Sequence, residues 1–119
     1  MSGCLLAGMV TIALSSADFR LEWMHSVEHQ IWREEWRIED DRLVLTGAAI
    51  KGSGAGMEPG PDARIVDGWL VWTPQLPPQE TIALASSGAT GGGWRICDGD
   101  ACREIGIDRS RPIILRPCP

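Results

Sequence analysis

Apolar and polar residues alternate along much of this chain with a period of two, most clearly on either side of the hexapeptide HSVEHQ. Before it, Phe19, Leu21 and Trp23 are separated by single polar residues, and after it Trp32 and Trp36 keep the same phase. Such alternation is typical of a β-strand with one buried face, and no stretch keeps a helical period over three turns. We therefore predict two paired strands whose opposite face carries the charged residues Arg33, Glu35, Arg37 and Glu39.

The rest of the chain carries strand and turn signals at short intervals. Residues 42–51 predict a strand, and residues 65–70 predict a hairpin because Asp67-Gly68 favours a type I′ turn. Shorter strands are predicted over residues 81–87, 94–97, 102–105 and 112–116, whereas residues 52–62 and 88–93 are rich in glycine or proline and predict loops. Eight or nine short strands predict a single all-β domain over residues 1–119, either an antiparallel β-barrel or a β-sandwich.

The N-terminal segment has two interpretations. Residues 4–14 are apolar enough for the core of a short leader, with Ser15-Ser16-Ala17 as a candidate cleavage site. The segment lacks a basic start and is too short to span a membrane. We therefore expect residues 1–17 to hold the first strand and the chain to have no membrane-spanning segment.

Length and charge narrow the functional class. With 119 residues, 44 % of them hydrophobic, the chain has the size and composition of one folded domain. Its net charge is −5 and its arginines do not cluster into a basic patch. We therefore expect no nucleic-acid partner, because such partners bind to concentrated positive charge.

The four cysteines predict two disulfides. Cys97 and Cys102 flank a tight turn, which places them opposite each other on a hairpin and close to disulfide reach. The remaining pair, Cys4 and Cys118, would join the two ends of the chain. Free thiols and a four-thiolate zinc site are the alternatives, although zinc needs two closely spaced pairs and only one loose pair is present. Disulfides would imply an oxidising compartment, either the periplasm or another exported location.

Several motifs in combination resemble the bacterial domain-of-unknown-function 1850 family. They are His25-Ser26-Val27-Glu28, Trp32-x-Glu34-Glu35-Trp36-Arg37, the segment GSGAGMEP at 52–59, the segment SGATGGGW at 87–94, and the spaced pair Cys97 and Cys102. The resemblance covers about residues 5–118. It implies a small, often exported protein, frequently encoded beside the TAXI type of tripartite ATP-independent periplasmic (TRAP) transporters. A TRAP transporter component is thus the implied partner, and the resemblance brings no catalytic residues with it.

The hairpin around HSVEHQ also carries a candidate polar site. If His25 lies opposite Trp32, then Trp23 lies opposite Glu34, and His25 and Glu34 become diagonal neighbours on the inner face. A carboxylate among tryptophans needs a partner because an unpaired buried charge is costly, and His25 is the nearest candidate. The pair either fixes the register as a sealed core contact or faces a ligand. A slip by one residue would move the whole strand to the other face.

We predict a ligand-binding set that joins this hairpin to the glycine-rich segment. The backbone N–H groups of residues 52–60 would cradle an anion in one interpretation and form a compact surface loop in the other. The predicted ligand-binding residues are His25, Ser26, Glu28, Trp32, Glu34, Ser53, Gly54, Gly56 and Glu58.

Metal and nucleophilic chemistry have weaker support in the sequence. His25, Glu28, His29 and Glu58 are of types that bind metals, but the two histidines are four residues apart across a turn and not on one helix face. The Ser53 motif lacks the strand–elbow–helix context of a hydrolase serine. We therefore expect no metal, no cofactor and no enzyme, with a small hydrolase-like or metal-binding enzyme as the remaining alternative.

The sequence and the resemblance together indicate an accessory role. We expect a non-enzymatic accessory or ligand-binding module of a TRAP-type (TAXI) solute transport system, holding a small organic ligand near His25 and Glu34. The alternative is a protein–protein adaptor without a ligand pocket.

Overall fold

The described part of the protein is built from β-strands. In a computed structural model, the described residues are 3–25, 30–51, 61–84, 93–105 and 112–119. They form eleven strands: β1 Gly3–Ala7, β2 Val10–Leu14, β3 Asp18–His25, β4 Gln30–Glu39, β5 Arg42–Lys51, β6 Arg64–Val66, β7 Trp69–Trp72, β8 Ile82–Leu84, β9 Trp94–Asp98, β10 Ala101–Ile105 and β11 Ile113–Pro117. Within these ranges no helix is long and apolar enough to cross a membrane.

The strands are arranged in two antiparallel sheets. The small sheet has the order β2-β1-β11-β8, and the large sheet has the order β10-β9-β3-β4-β5-β7-β6. The predicted all-β class is confirmed, and the architecture is a sandwich. Eleven strands are present among the described residues where eight or nine are predicted. One reason is that the N-terminal apolar segment turns at Gly8, with a φ of 62°, and pairs with itself as β1 and β2.

The core lies between the inner faces of the two sheets. Leu5 of the small sheet and Leu21 of the large sheet are both fully buried there, together with Leu43 and Leu115. Burial of such a side chain contributes roughly 1.5–3 kcal/mol, so this cluster is the main stabilising feature of the sandwich. The other buried members of the cluster are Ala7, Ile12, Leu14, Phe19, Trp36, Leu45, Leu84 and Ile96.

The outer face of the large sheet is charged, as the alternation in β4 predicts. Glu22 accepts from Arg20 at 2.6 Å and lies 3.5 Å from Arg95, and Asp18 pairs with Arg37 at 2.8 Å. Ion pairs at the surface stabilise a fold only slightly. The main effect of these charges is to fix which face of the large sheet meets water.

Two features keep the faces of β4 and β5 in phase. Asp40 and Asp41 adopt positive φ angles of 50° and 60°, which form the tight turn between the strands. A register shift between Glu35 and Trp36 then leaves an extra residue on β5, and Ala48 stays opposite Glu34. The predicted Asp67-Gly68 hairpin turn is also confirmed, with φ angles of 50° and 83° between β6 and β7.

Both predicted disulfides are present. Cys97 and Cys102 are directly paired across β9 and β10, with their Cα atoms 4.1 Å apart. The second bond joins Cys4 of β1 to Cys118, which directly follows β11, over a sequence separation of 114 residues. Because β11 lies between β1 and β8, this bond fixes the C-terminal strand inside the small sheet.

The two disulfides should differ in their effect on stability. Replacing Cys4 and Cys118 with alanine should lower the free energy of unfolding by about 4–5 kcal/mol, because the bond closes a long loop in the unfolded chain. The matched change at Cys97 and Cys102 opens a short loop and should cost about 2 kcal/mol. Guanidinium denaturation measures both losses, and equal losses would contradict this account.

The wild-type protein also tests the oxidation state of the four cysteines. Protein made in an oxidising compartment should show no free thiol when it is denatured without reductant. Titration of four thiols under those conditions would contradict the assignment of both disulfides.

Candidate functional site

Three tryptophans from three neighbouring strands lie together on the inner face of the large sheet. Trp23 of β3 stacks on Trp32 of β4, with ring centroids 5.7 Å apart and an interplanar angle of 23°. Trp94 of β9 approaches Trp23 from the other side, at 4.6 Å and 45°. We call Trp94, Trp23 and Trp32 the aromatic row. All three side chains are half-buried, so the row borders the core and is still accessible at its surface.

Glu34 lies beside this row, one inner-face position further along β4. Its neighbours across the sheet are Leu21 on β3 and Ala48 on β5, and both of these apolar residues are buried. The indole N–H of Trp36 donates a hydrogen bond to Glu34 Oε1 at 3.1 Å. Burial raises the pKa of Glu34 above its ordinary value of 4.5, and the hydrogen bond from Trp36 offsets part of that rise.

The predicted pairing of His25 with Glu34 is wrong in its register. Trp23 lies opposite Trp32, Leu21 lies opposite Glu34, and His25 pairs with Gln30. Four residues on β4 therefore separate the level of His25 from that of Glu34, or roughly 13 Å at about 3.3 Å per residue. The pairing differs from the predicted one by two residues, so the inner and outer faces are as predicted.

The observed register has a physical advantage over the predicted one. It extends the ladder to Met24 and Ile31 and on to His25 and Gln30, leaving a shorter connection between the strands. It also brings the two large rings of the hairpin into contact. Contact between aromatic side chains across a ladder stabilises a sheet by roughly 0.2–1 kcal/mol, and this favours the longer pairing.

Some of the predicted ligand-binding residues lie within the described ranges and the others lie outside them. Trp32 and Glu34 are adjacent inner-face positions of β4. His25 is described through its backbone, at the last rung of β3. The remaining predicted residues lie outside the described ranges: Ser26, Glu28, Ser53, Gly54, Gly56 and Glu58. In the sequence they follow His25, the last residue of β3, and Lys51, the last residue of β5. These two strands end at the same end of the large sheet, close to Trp32 of the aromatic row.

Three members of this site are absent from the predicted set: Trp23, Trp36 and Trp94. Trp94 lies two residues before Ile96 on β9, so the sequence pattern predicts that it faces inward like Ile96. Its contact with β3 does not follow from that pattern, because β3 is about seventy residues away along the chain. Trp36 has the same phase as Glu34, and the indole N–H of a buried tryptophan usually donates to an acceptor. That spacing of two residues on one face was the available signal for the Glu34–Trp36 bond.

The arrangement is suited to binding. Indole faces offer flat apolar surface, and a carboxyl group beside them supplies a directed hydrogen bond, which is the usual composition of a small-molecule site. In the described ranges no three His, Cys, Asp or Glu residues lie close enough together to hold a metal ion.

The raised pKa of Glu34 predicts a specific pH dependence of stability. The folded protein holds this proton more tightly than the unfolded chain, so the free energy of unfolding should fall as pH rises from 4.5 towards the raised pKa. The loss should be complete once the pH exceeds the raised pKa, because Glu34 is then ionised in both the folded and the unfolded protein. Glu34→Gln keeps an acceptor for Trp36 and cannot ionise, so it should remove this part of the pH dependence.

Glu35→Gln is the matched control, because Glu35 is the next residue of the same strand and faces outward, with a side chain 48 % exposed. Denaturation of the three proteins between pH 4 and pH 8 measures the difference. If Glu34→Gln, Glu35→Gln and the wild type all show the same pH dependence of the free energy of unfolding, the account of Glu34 as a buried carboxyl group is wrong.

Comparison with known proteins gives the family of this chain. A family model with the description "Domain of unknown function (DUF1850)" matches residues 19–105, a range that runs from the second residue of β3 to the last residue of β10. No curated protein matches the chain. No solved structure matches it either. Because the match covers well over half of the residues, and includes the aromatic row and Glu34, the protein belongs to the DUF1850 family.

Proposed function

We propose that this protein is a non-enzymatic binding module that acts outside the cytoplasm with a TRAP-type solute transport system. In this proposal the aromatic row and Glu34 hold a small organic ligand, and the predicted residues His25, Ser26 and Glu28 belong to the same ligand site. Residues 53–58 of the glycine-rich segment would complete the site from the end of β5.

One observation carries the proposal: three half-buried indoles lie next to a carboxyl group that is neither exposed nor paired with a cation in the described part of the chain. A carboxyl group placed only for stability is costly in such surroundings, because burial opposes its ionisation. A ligand with a flat or apolar face and a hydrogen-bonding group would use both features. The cost of burying Glu34 would then be offset when the ligand binds.

The chemistry of the site favours binding over catalysis. The hydrogen-bond partner of Glu34 is the Trp36 indole N–H, which donates and has no acceptor function. Such a partner orients the carboxyl group without relaying a proton, whereas general acid–base catalysis needs a route for the proton.

The location and partner rest on two further arguments. Two disulfides are compatible with an oxidising compartment, since the reducing cytosol rarely keeps such bonds. The resemblance described above associates small exported proteins with TAXI-type TRAP transporters, and a ligand-holding module near a transporter would act by contact with one of its components.

A thermal-shift screen of the oxidised protein tests the ligand site. The probes are small carboxylates, amino acids and divalent cations. A ligand present at a hundred times its Kd should stabilise the wild type by about 2.7 kcal/mol. The same ligand should stabilise Glu34→Gln and His25→Ala much less, whereas Glu35→Gln on the outer face should respond like the wild type. Equal stabilisation of all four proteins would contradict a site at the aromatic row.

The screen also separates the proposal from its alternative. If no probe changes the stability, and a TRAP transporter component co-purifies with the protein from its own cell envelope, the protein–protein adaptor without a ligand pocket is favoured.

A further inference from the structure

A groove lies between the two sheets along one side of the sandwich. In the described structure β2 is the last strand of the small sheet and β10 is the last strand of the large sheet. The groove between them has a volume of about 400 Å³. We call it the edge groove. It is lined by residues 11–14 of β2 and, from β9 and β10, by Ile96, Asp98, Ala101, Cys102 and Arg103.

The backbone of β2 offers hydrogen-bonding groups to this groove. The turn between β1 and β2 has two residues, so Ala7 and Val10 next to it form a hydrogen-bonded pair of the ladder. Because such pairs alternate along antiparallel strands, Thr11 and Ala13 direct their N–H and C=O groups away from β1. Among the described residues these groups have no backbone partner.

Ser15 is the next residue after Thr11 and Ala13 whose backbone groups point away from β1, and its contacts show which kind of group binds to this edge. The backbone N–H of Ser15 donates to Asp98 Oδ2 at 2.7 Å, and the Ser15 hydroxyl donates to Asp98 Oδ1 at 2.7 Å. A carboxylate thus already satisfies the edge at one end of the groove. Further along, Thr11 and Ala13 present the same kind of donor, which no backbone group of the described residues accepts from.

The β2 edge lacks the usual protection against strand addition. Edge strands are commonly blocked by charged residues, proline or a bulge, and the sequence of β2, VTIAL, contains no charge and no proline. By contrast, β10 carries Arg103 and Glu104. In the described part of the structure, the β2 edge is therefore suited to pairing with another extended chain.

Arg103 gives the groove a preference for an occupant with negative charge. It pairs with Ile96, which places it on the inner face of β10, and its side chain is exposed at the groove. The described part of the chain holds no ion pair for Arg103, and the carboxylate of Asp98 is already occupied by Ser15. An occupant that carries an acidic group would complement this cation.

We propose that the edge groove binds an extended segment of a partner protein, which adds a strand to β2 and places an acidic side chain against Arg103. Main-chain hydrogen bonds to Thr11 and Ala13 would supply affinity, and Arg103 would supply selectivity, as in other cases of strand addition. Residues 11–14 span about 13 Å, so the paired segment is about four residues long. The inference is independent of the ligand site, because the aromatic row does not line this groove.

The test uses the full chain, labelled with ¹⁵N, and two peptides blocked at both ends: Ser-Thr-Val-Glu-Val-Thr-Ser and its counterpart with lysine in place of glutamate. The glutamate peptide should bind more tightly and slow amide exchange at Thr11 and Ala13. Arg103→Glu should weaken binding of the glutamate peptide about fivefold and reverse the preference between the peptides. This reversal is a gain of binding, so poor folding of the variant cannot produce it.

Arg116→Glu is the matched control, because Arg116 is an exposed arginine of the small sheet that does not line the groove. It should bind both peptides as the wild type does. Equal affinity of the wild type for the two peptides, or unchanged exchange at Thr11 and Ala13, would overturn the proposal. Slow exchange at these amides that rises with protein concentration, without peptide and together with a dimer mass, would also overturn it and identify a second copy as the occupant.

Discussion

The pairing of β3 with β4 is the constraint on which the rest of the structure depends. Its register places Trp23 opposite Trp32 and Leu21 opposite Glu34, and it fixes which face of the large sheet meets the small one. Because side chains alternate along a strand, every inward residue of β9 and β5 is then determined by its pairing with this hairpin. A shift by one residue would expose the tryptophans and bury the ion pairs.

This constraint has an energetic consequence at one position. Between Trp32 and Ile38 the inner face of β4 is apolar except at Glu34, whose described polar contact is the hydrogen bond from Trp36. A hydrocarbon side chain there would pack with less cost, because it would require no desolvation of a carboxylate. At position 34, next to the aromatic row, an apolar residue would therefore suit the stability of the fold, whereas a carboxyl group would suit the binding of a ligand. That difference is the physical basis of the proposed ligand site.

Local patterns predicted the parts of the fold that local interactions determine. The faces of β4, the Asp67-Gly68 turn and the Cys97–Cys102 bond all follow from residues close together in sequence. The register of β3 with β4 did not follow, because alternation defines faces and is unchanged by a shift of two residues. Nor did the contact of Trp94 with Trp23, since it depends on two strands that are distant in the chain. Trp32 and Glu34 were accordingly named from sequence as ligand-binding residues, whereas Trp23, Trp94 and the hydrogen-bond donor Trp36 were not.

The central claim is that the half-buried Glu34 faces the interior of the sandwich and accepts a hydrogen bond from Trp36. The most direct measurement is an NMR pH titration that follows the side-chain carboxyl carbon of Glu34 and the indole N–H of Trp36 in the same samples. The account predicts that Glu34 titrates above 4.5 and that the Trp36 resonance shifts with the same midpoint. A Glu34 carboxyl group that titrates at its ordinary value, with no response from Trp36, would contradict it.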